Sequence, residues 1–250
     1  MNKQDDISKS YKPSGLLNTL SVVSFWANAA AALLILCVPA LHNNMLMYIQ
    51  VFLAVACIII SVVDDGFFWF EAEAARRHNC IEDAFNIELS EAKTSGYYNN
   101  AATPSALRYA LNNYESAYCS KAVAQRMIPT AIGKTLVAIM VFVVSWRAVS
   151  DVEIVLALAQ IVFSSVFVSD TIMLFIYIFR IRQICDTFYT LFITEKGTSN
   201  TEKQVLLLSN SIDYEVVKGF YKVRLSERIF KKMQPELEVK WAALSAKIEI

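Results

Sequence analysis

Four long apolar runs divide the chain, and polar stretches of helical periodicity lie between and after them. The runs extend from Leu16 to Leu41, Met45 to Val63, Ile128 to Trp146 and Val152 to Phe179. A helix of about 20 mostly apolar residues crosses a hydrocarbon core roughly 30 Å thick. Each run therefore predicts a transmembrane helix. Only His42, Asn43 and Asn44 link the first two runs, and a similarly tight link joins the last two. Links this short fold the spans into two hairpins. The fourth run exceeds the length of a crossing, so it tilts or projects into the cytoplasm.

The intervening segments carry their own helical signals. Phe70–Leu89 has no Pro or Gly and is rich in Ala, Glu and Arg, which predicts a helix continuing span two. Gly96 breaks that pattern, and Gly96–Asn100 (GYYNN) reads as a loop. Pro104 suits the first turn of a new helix. That helix runs from Ser105 to Met127, below Pro129, with Leu107, Ala110, Leu111, Tyr114, Ala117 and Tyr118 at three/four spacing. The middle segment is thus expected to be a helical hairpin with its tip at Gly96–Thr103. Span four is expected to stay helical to Thr194, before a linker reading EKGTSN. Ser199 and Glu202 form a capping-box signature for a helix through Leu208 and beyond. Asp213–Met233 is helical by pattern, and Pro235 opens a last short helix to Ile248. No stretch sustains strand alternation. The expected fold is an all-α integral membrane protein, with four transmembrane helices as two hairpins and a helical cytoplasmic region. Its parts are a tail (1–15), hairpin one (16–65), a helical segment (66–127), hairpin two (128–179) and a C-terminal region (180–250).

Composition agrees: 56% of residues are hydrophobic and 18% charged, against about 45–50% and 25% in soluble domains. The formal net charge is zero, so orientation rests on where the basic residues fall. Lys3, Lys9 and Lys12 precede span one. Arg76, Arg77, Lys93, Arg108, Lys121 and Arg126 lie between spans two and three, and Arg180 and Arg182 follow span four. The link between spans one and two has no Lys or Arg, and Arg147 is the exception in the other link. Cytoplasmic loops carry the excess of Lys and Arg, so both termini and the middle segment are expected inside. Phe67, Phe68, Trp69 and Phe70 after span two, with Tyr177 and Phe179 closing span four, fit interfacial aromatic belts. The N-terminus mixes Asp5 and Asp6 with lysines before an apolar run too long for a signal peptide. The external links are too short to form a receptor surface, so any signal is expected to act from the cytoplasm.

Four ionisable residues fall in or beside the spans: Asp64, Asp65, Lys134 and Asp170. Asp170 lies about 18 residues below the outer start of span four, roughly 27 Å at 1.5 Å per residue. Asp64 and Asp65 end span two, and Lys134 lies near the inner start of span three. All four are expected in one layer near the cytoplasmic face. One reading is a charged gate and the other is interfacial snorkelling; an intramembrane carboxylate such as Asp170 marks a bundle interior or wet cavity. Asn28, among Ala27 and Ala29–Ala32, reads as a helix-packing hydrogen bond.

Catalytic signatures are missing. There is no P-loop, no Gly-x-Gly-x-x-Gly, no His-Glu-x-x-His and no Gly-x-Ser-x-Gly. Cys37, Cys57, Cys80, Cys119 and Cys185 form no Cys-x-x-Cys, and neither His42 nor His78 lies at metal-ligand spacing from them. The expectation is five free thiols, no metal, no cofactor and no enzymatic activity. Glu71, Glu73, Glu82, Asp83 and Glu88 read as the solvated acidic face of one helix. Arg76 and Arg77 beside His78, joined by Arg108, Lys121 and Arg126, suit either a phosphate grip or the ordinary positive-inside bias.

Several cytoplasmic patches together resemble a family of bacterial four-transmembrane effectors associated with cyclic-oligonucleotide signalling in antiphage defence. They are Arg76-Arg77 followed by IEDAF (Ile81–Phe85), GYYNN (Gly96–Asn100), NNYES (Asn112–Ser116) with Gln125-Arg126-Met127, and LSERIFKKMQPELEVKWAAL (Leu225–Leu244). The resemblance covers most of the cytoplasmic part. It implies a non-enzymatic homo-oligomer in the bacterial inner membrane. A nucleotide second messenger from a partner synthase would bind inside the cell, and the spans would then permeabilise the bilayer. The implied ligand residues are Arg76, Arg77, Asp83, Tyr97, Tyr98, Asn99, Asn100, Arg108 and Arg126. Aromatic faces stack on bases and amides read base edges. Alternatively, Tyr97 and Tyr98 pack on the C-terminal helices. No DNA or RNA polymer is expected as a partner. The alternative function is a small transporter or a membrane scaffold. A transporter usually carries repeats and helices broken at mid-membrane, and only Gly133 suits such a break.

Overall fold

A computed structural model describes residues 4–5, 7–37, 44–89, 94–95, 98, 100, 102–148, 166–195 and 200–248. The outer hairpin links, the first half of span four, and Gly96, Tyr97 and Asn99 of the predicted loop lie outside the described residues. The architecture is helical throughout, apart from a two-residue antiparallel ladder pairing β1 (Gln4–Asp5) with β2 (Thr94–Ser95). The chain forms two compact units, Met1–Tyr97 and Tyr98–Ile250.

The first unit holds α1 (Ile7–Ser10), α2 (Lys12–Cys37), α3 (Asn44–Val63) and α4 (Trp69–Phe85). Helix α2 runs antiparallel along α3. Ser21 Oγ bonds Ser61 Oγ at 3.0 Å and Cys57 Sγ at 3.3 Å. Outward, α3 exposes Tyr48, Phe52, Ile58 and Val62, and α2 exposes Leu16 and Val23. The hairpin is therefore polar at its seam and apolar on its surface, the reverse of a soluble helix pair. A single π-helical turn, Asp64–Phe68, joins α3 to α4, with the Trp69 N–H donating to the Asp64 carbonyl. The whole forms one rod, Tyr48–Phe85, in which the membrane-crossing length and apolarity are met; it is the one such helix among the described residues. The extension beyond the apolar stretch ends at Phe85, not at Leu89. Asn86 takes the left-handed conformation (φ 54°), which stops the helix, and the Glu82 carboxylate accepts from the Leu89 N–H beyond it.

The second unit holds α5 (Ala106–Ala148), α6 (Val166–Tyr189), α7 (Asn200–Tyr221) and α8 (Glu227–Ser245). Ser105 opens α5: its hydroxyl accepts from the Arg108 N–H at 3.3 Å and donates to the Thr103 carbonyl at 2.9 Å. Pro129 was expected to separate two helices, yet α5 passes through it unbroken. The carbonyl that loses its ladder bond to Pro129 belongs to exposed Gln125. Antiparallel to α5 runs α6, with Thr135 and Thr171 hydroxyls 2.8 Å apart. A second π turn, Thr190–Thr194, closes it, as the predicted end at Thr194 required.

The C-terminal boundaries differ from the sequence expectation. One helix, α7, runs through both Leu208 and Asp213. The break falls instead at Lys222, whose φ of 47° ends α7. Ser226 then caps α8 by accepting from the Ile229 N–H at 3.4 Å, and Pro235 sits inside α8 rather than at its start. Again the carbonyl four residues earlier belongs to an exposed residue, Lys231.

The inner half of this unit has a conventional core. Tyr114 packs on both Phe188 and Phe192, at 5.2 and 5.9 Å between centroids, the two phenylalanines being 6.1 Å from each other, and meets the edge of Trp241 at 5.2 Å. Such pairs add about 0.5–1.5 kcal/mol each beyond area burial. Around them pack Leu111, Ile181, Leu207 and Tyr214.

Candidate functional site

In the first unit, a buried polar network forms where the rod leaves the π turn. Tyr11 sets its ring edge-on to Trp69, with centroids 5.7 Å apart. Its hydroxyl donates to Glu73 Oε1 at 2.8 Å. Glu73 Oε2 accepts from Arg76 Nε at 2.8 Å, with both side chains almost fully buried. Charge-assisted bonds of this kind are the stronger class. They join the short N-terminal helix to α4. Asp64, the first residue of the π turn, is only 1% exposed, while Asp65 is half-buried.

This arrangement corrects two sequence expectations. Glu73 belongs to no solvated face, because its carboxylate is enclosed by Tyr11 and Arg76. Arg76 and Arg77 do not act as a pair: Arg76 is committed to Glu73, whereas Arg77 lies 6.0 Å above the Phe70 ring. Adjacent helical residues point about 100° apart, which the dibasic motif conceals. Asp83 lies half-buried near the end of α4.

In the second unit, the segment leading into α5 gathers amides and a guanidinium. Asn100 Nδ2 donates to Asn112 Oδ1 at 2.6 Å. Arg108 Nη1 donates to the Ala102 carbonyl at 3.4 Å. Asn113 is fully buried and donates to the Tyr109 carbonyl at 3.0 Å. Tyr98 is half-buried. Thus Tyr98, Asn100 and Arg108 fall in one region. Arg126 lies elsewhere, exposed on α5. There it helps, after the Lys240 ammonium that donates to Glu236 at 2.6 Å, to hold the Glu236 carboxyl below its usual range. Tyr97 and Asn99 lie outside the described residues. The pair Asn112–Asn113 was visible in the sequence only as part of NNYES. Its burial was not, because asparagines are mostly exposed.

Lys134 and Asp170 are exposed, each one residue before a member of the Thr135–Thr171 pair. That hydroxyl pair sets them at one level of the hairpin.

Burial pushes both the Cys119 and Cys185 thiols up to about 12, so neither is a thiolate near neutral pH. Cys57, Cys80, Cys119 and Cys185 are all free. Among the described residues, no three His, Cys, Asp or Glu side chains cluster as a metal site. No protein-family model matches the chain, and neither does any curated protein or solved structure.

Proposed function

We propose that the chain is a four-span effector of bacterial antiphage defence. It takes a nucleotide second messenger at its cytoplasmic part and permeabilises the inner membrane as an oligomer. The observation that carries the membrane part is the inversion of both hairpins. Hydroxyls and a thiol meet at the α2–α3 and α5–α6 seams, while large apolar side chains such as Phe52, Ile58, Met140 and Phe175 face outward. Polar seams between apolar-coated helices suit a lipid solvent, where small and hydroxylated residues hold helices together. This reading extends the single span of Tyr48–Phe85 to four and sets Asp64, Asp65, Lys134 and Asp170 near the cytoplasmic face.

The nucleotide part draws on the resemblance of the cytoplasmic motifs and on the chemistry of Tyr98, Asn100 and Arg108. An aromatic face, an amide and a guanidinium suit a base and a phosphate. Arg76 contributes through its pair with Glu73, which links the N-terminal helix to the rod that enters the membrane. The transporter alternative finds its discontinuity in the π turn, but that turn sits at the end of the apolar stretch. Transporter sites form at mid-membrane, so an inner gate fits its position better.

Inducible expression in bacteria with a membrane-potential dye tests the reading. Depolarisation should require a cyclic nucleotide, supplied by a co-expressed synthase, and should be lost in Arg108→Ala. No depolarisation with any cyclic nucleotide defeats the proposal.

A further inference from the structure

The cytoplasmic helix α7 buries Leu207, Ser211 and Tyr214 on one face. Its opposite face carries Val205, Leu208, Ile212, Val216 and Phe220, at spacings of three and four, exposed by 61, 39, 53, 60 and 71%. This apolar stripe runs most of the length of the helix. Exposed Glu202 and Asp213 flank it. A contiguous apolar patch outside the bilayer marks an interaction surface. The acidic flank disfavours an anionic lipid surface.

The exposed face of α8 has the complementary character. Arg228 and Lys232 lie at its start, and Pro235, Val239, Ala242 and Ala243 continue the same face, with Glu236 beside them neutralised by Lys240 at 2.6 Å. Val239 is 71% exposed. One surface is bulky, apolar and acid-flanked; the other is small, apolar and basic at one end. Helices pack when the ridges of one enter the grooves of the other, and opposite charges set register and partner choice.

We propose that the α7 stripe of one copy docks on the exposed α8 face of a second copy, with Asp213 and Glu202 toward Arg228 and Lys232. The contact joins two different surfaces. Such head-to-tail contacts generate rings when the rotation closes, the symmetry an assembly within one membrane needs. The inference rests on the membrane-oligomer reading above and supplies its cytoplasmic contact.

Two full-length chains with different tags, Val216→Cys and Val239→Cys, are co-expressed and oxidised with copper phenanthroline in membranes of resting cells. A mixed disulfide should form that neither chain gives alone nor wild type gives. Asp213→Lys in the first chain should abolish it, and Lys232→Asp added to the second should restore it. Self-crosslinking of Val216→Cys as strong as the mixed product overturns the proposal in favour of a symmetric pair. So does absence of the mixed product when both chains melt like wild type. Spin-labelled Val216→Cys reporting lipid contact overturns it in favour of the bilayer. Depolarisation is read separately: a mixed disulfide without nucleotide-dependent depolarisation defeats the effector reading alone, and the converse defeats the contact alone.

Discussion

Helices α5 and α6 each pass through two environments. Between Ala110 and Ala124, α5 is buried on several faces and packs Leu111, Tyr114 and Ala117 against α6. Between Ile132 and Val143 the same helix exposes Ile132, Leu136, Val137, Ile139, Met140 and Val143. Its partner changes with it: Ile181, Phe188 and Phe192 are buried, whereas Ile172, Phe175 and Phe179 are exposed. The inner half hides its aromatics; the outer half exposes large apolar side chains around a Thr–Thr contact. Apolar content rises along α5, from nine of the fifteen residues Ala110–Ala124 to nine of the twelve residues Ile132–Val143. The halves also differ in which side chains face the partner helix.

The largest test of this contrast is Tyr114→Ala. Loss of a ring stacked on Phe188 and Phe192 should cost about 3–5 kcal/mol. Leu136→Ala, on the exposed surface, should cost far less, because it leaves no enclosed cavity. Thermal melts in detergent or nanodiscs give both values, and equal losses would erase the distinction. Nearly as large an effect is expected in the first unit. Glu73→Gln removes the counter-charge that holds Arg76, and breaking a buried pair costs about 3–5 kcal/mol. Adding Arg76→Met should recover much of that loss in the same melts; failure to recover would show that the pair is not the unit of stability.

A smaller test uses pH. Cys119 and Cys185 are raised to about 12 from 9.0. The folded state therefore holds these protons more tightly than the unfolded state. Their contribution is fully present below about pH 8.5 and lost as pH rises towards the folded values. Melting temperature should fall between pH 9 and 11, and Cys119→Ala with Cys185→Ala should flatten that fall. An unchanged slope would exclude the thiols as its cause. The smallest effect is expected at the outer seam. Thr135→Val should cost about 0.6 kcal/mol, the mean for hydrogen bonds between membrane helices, and a much larger loss would mean the pair anchors more than one contact.

Helix content and the extension beyond span two were legible because periodicity survives from sequence to structure. The boundaries at Pro129 and Pro235 were not. Proline removes one donor and releases one carbonyl, and whether that ends a helix depends on whether the carbonyl can reach solvent. Lys222 gave no signal, since a lysine in the left-handed region does not advertise itself as a glycine would. At the candidate site, Glu73 and Arg76 looked like surface charges because the residue that encloses them, Tyr11, is 62 positions away in sequence. Tyr98, Asn100 and Arg108 fall in one region because they are close along the chain, whereas Arg76, Arg77 and Arg126, expected with them, lie on other stretches of helix.

The π turn at Asp64–Phe68 also sets a phase. A π turn takes in one extra residue, so every later side chain lags the α-helical count by about 100°. The exposed stripe of α3 and the buried stripe of α4 therefore need not lie on one line, although they share one rod. Deleting Gly66 would restore an unbroken 3.6-residue rhythm and leave Glu73 facing Tyr11, whereas a deletion within α4 ahead of Glu73 would swing it away. Along Tyr48–Phe85 the wide turn is thus an offset coupling that keeps the polar contacts of α4 in phase with the N-terminal segment.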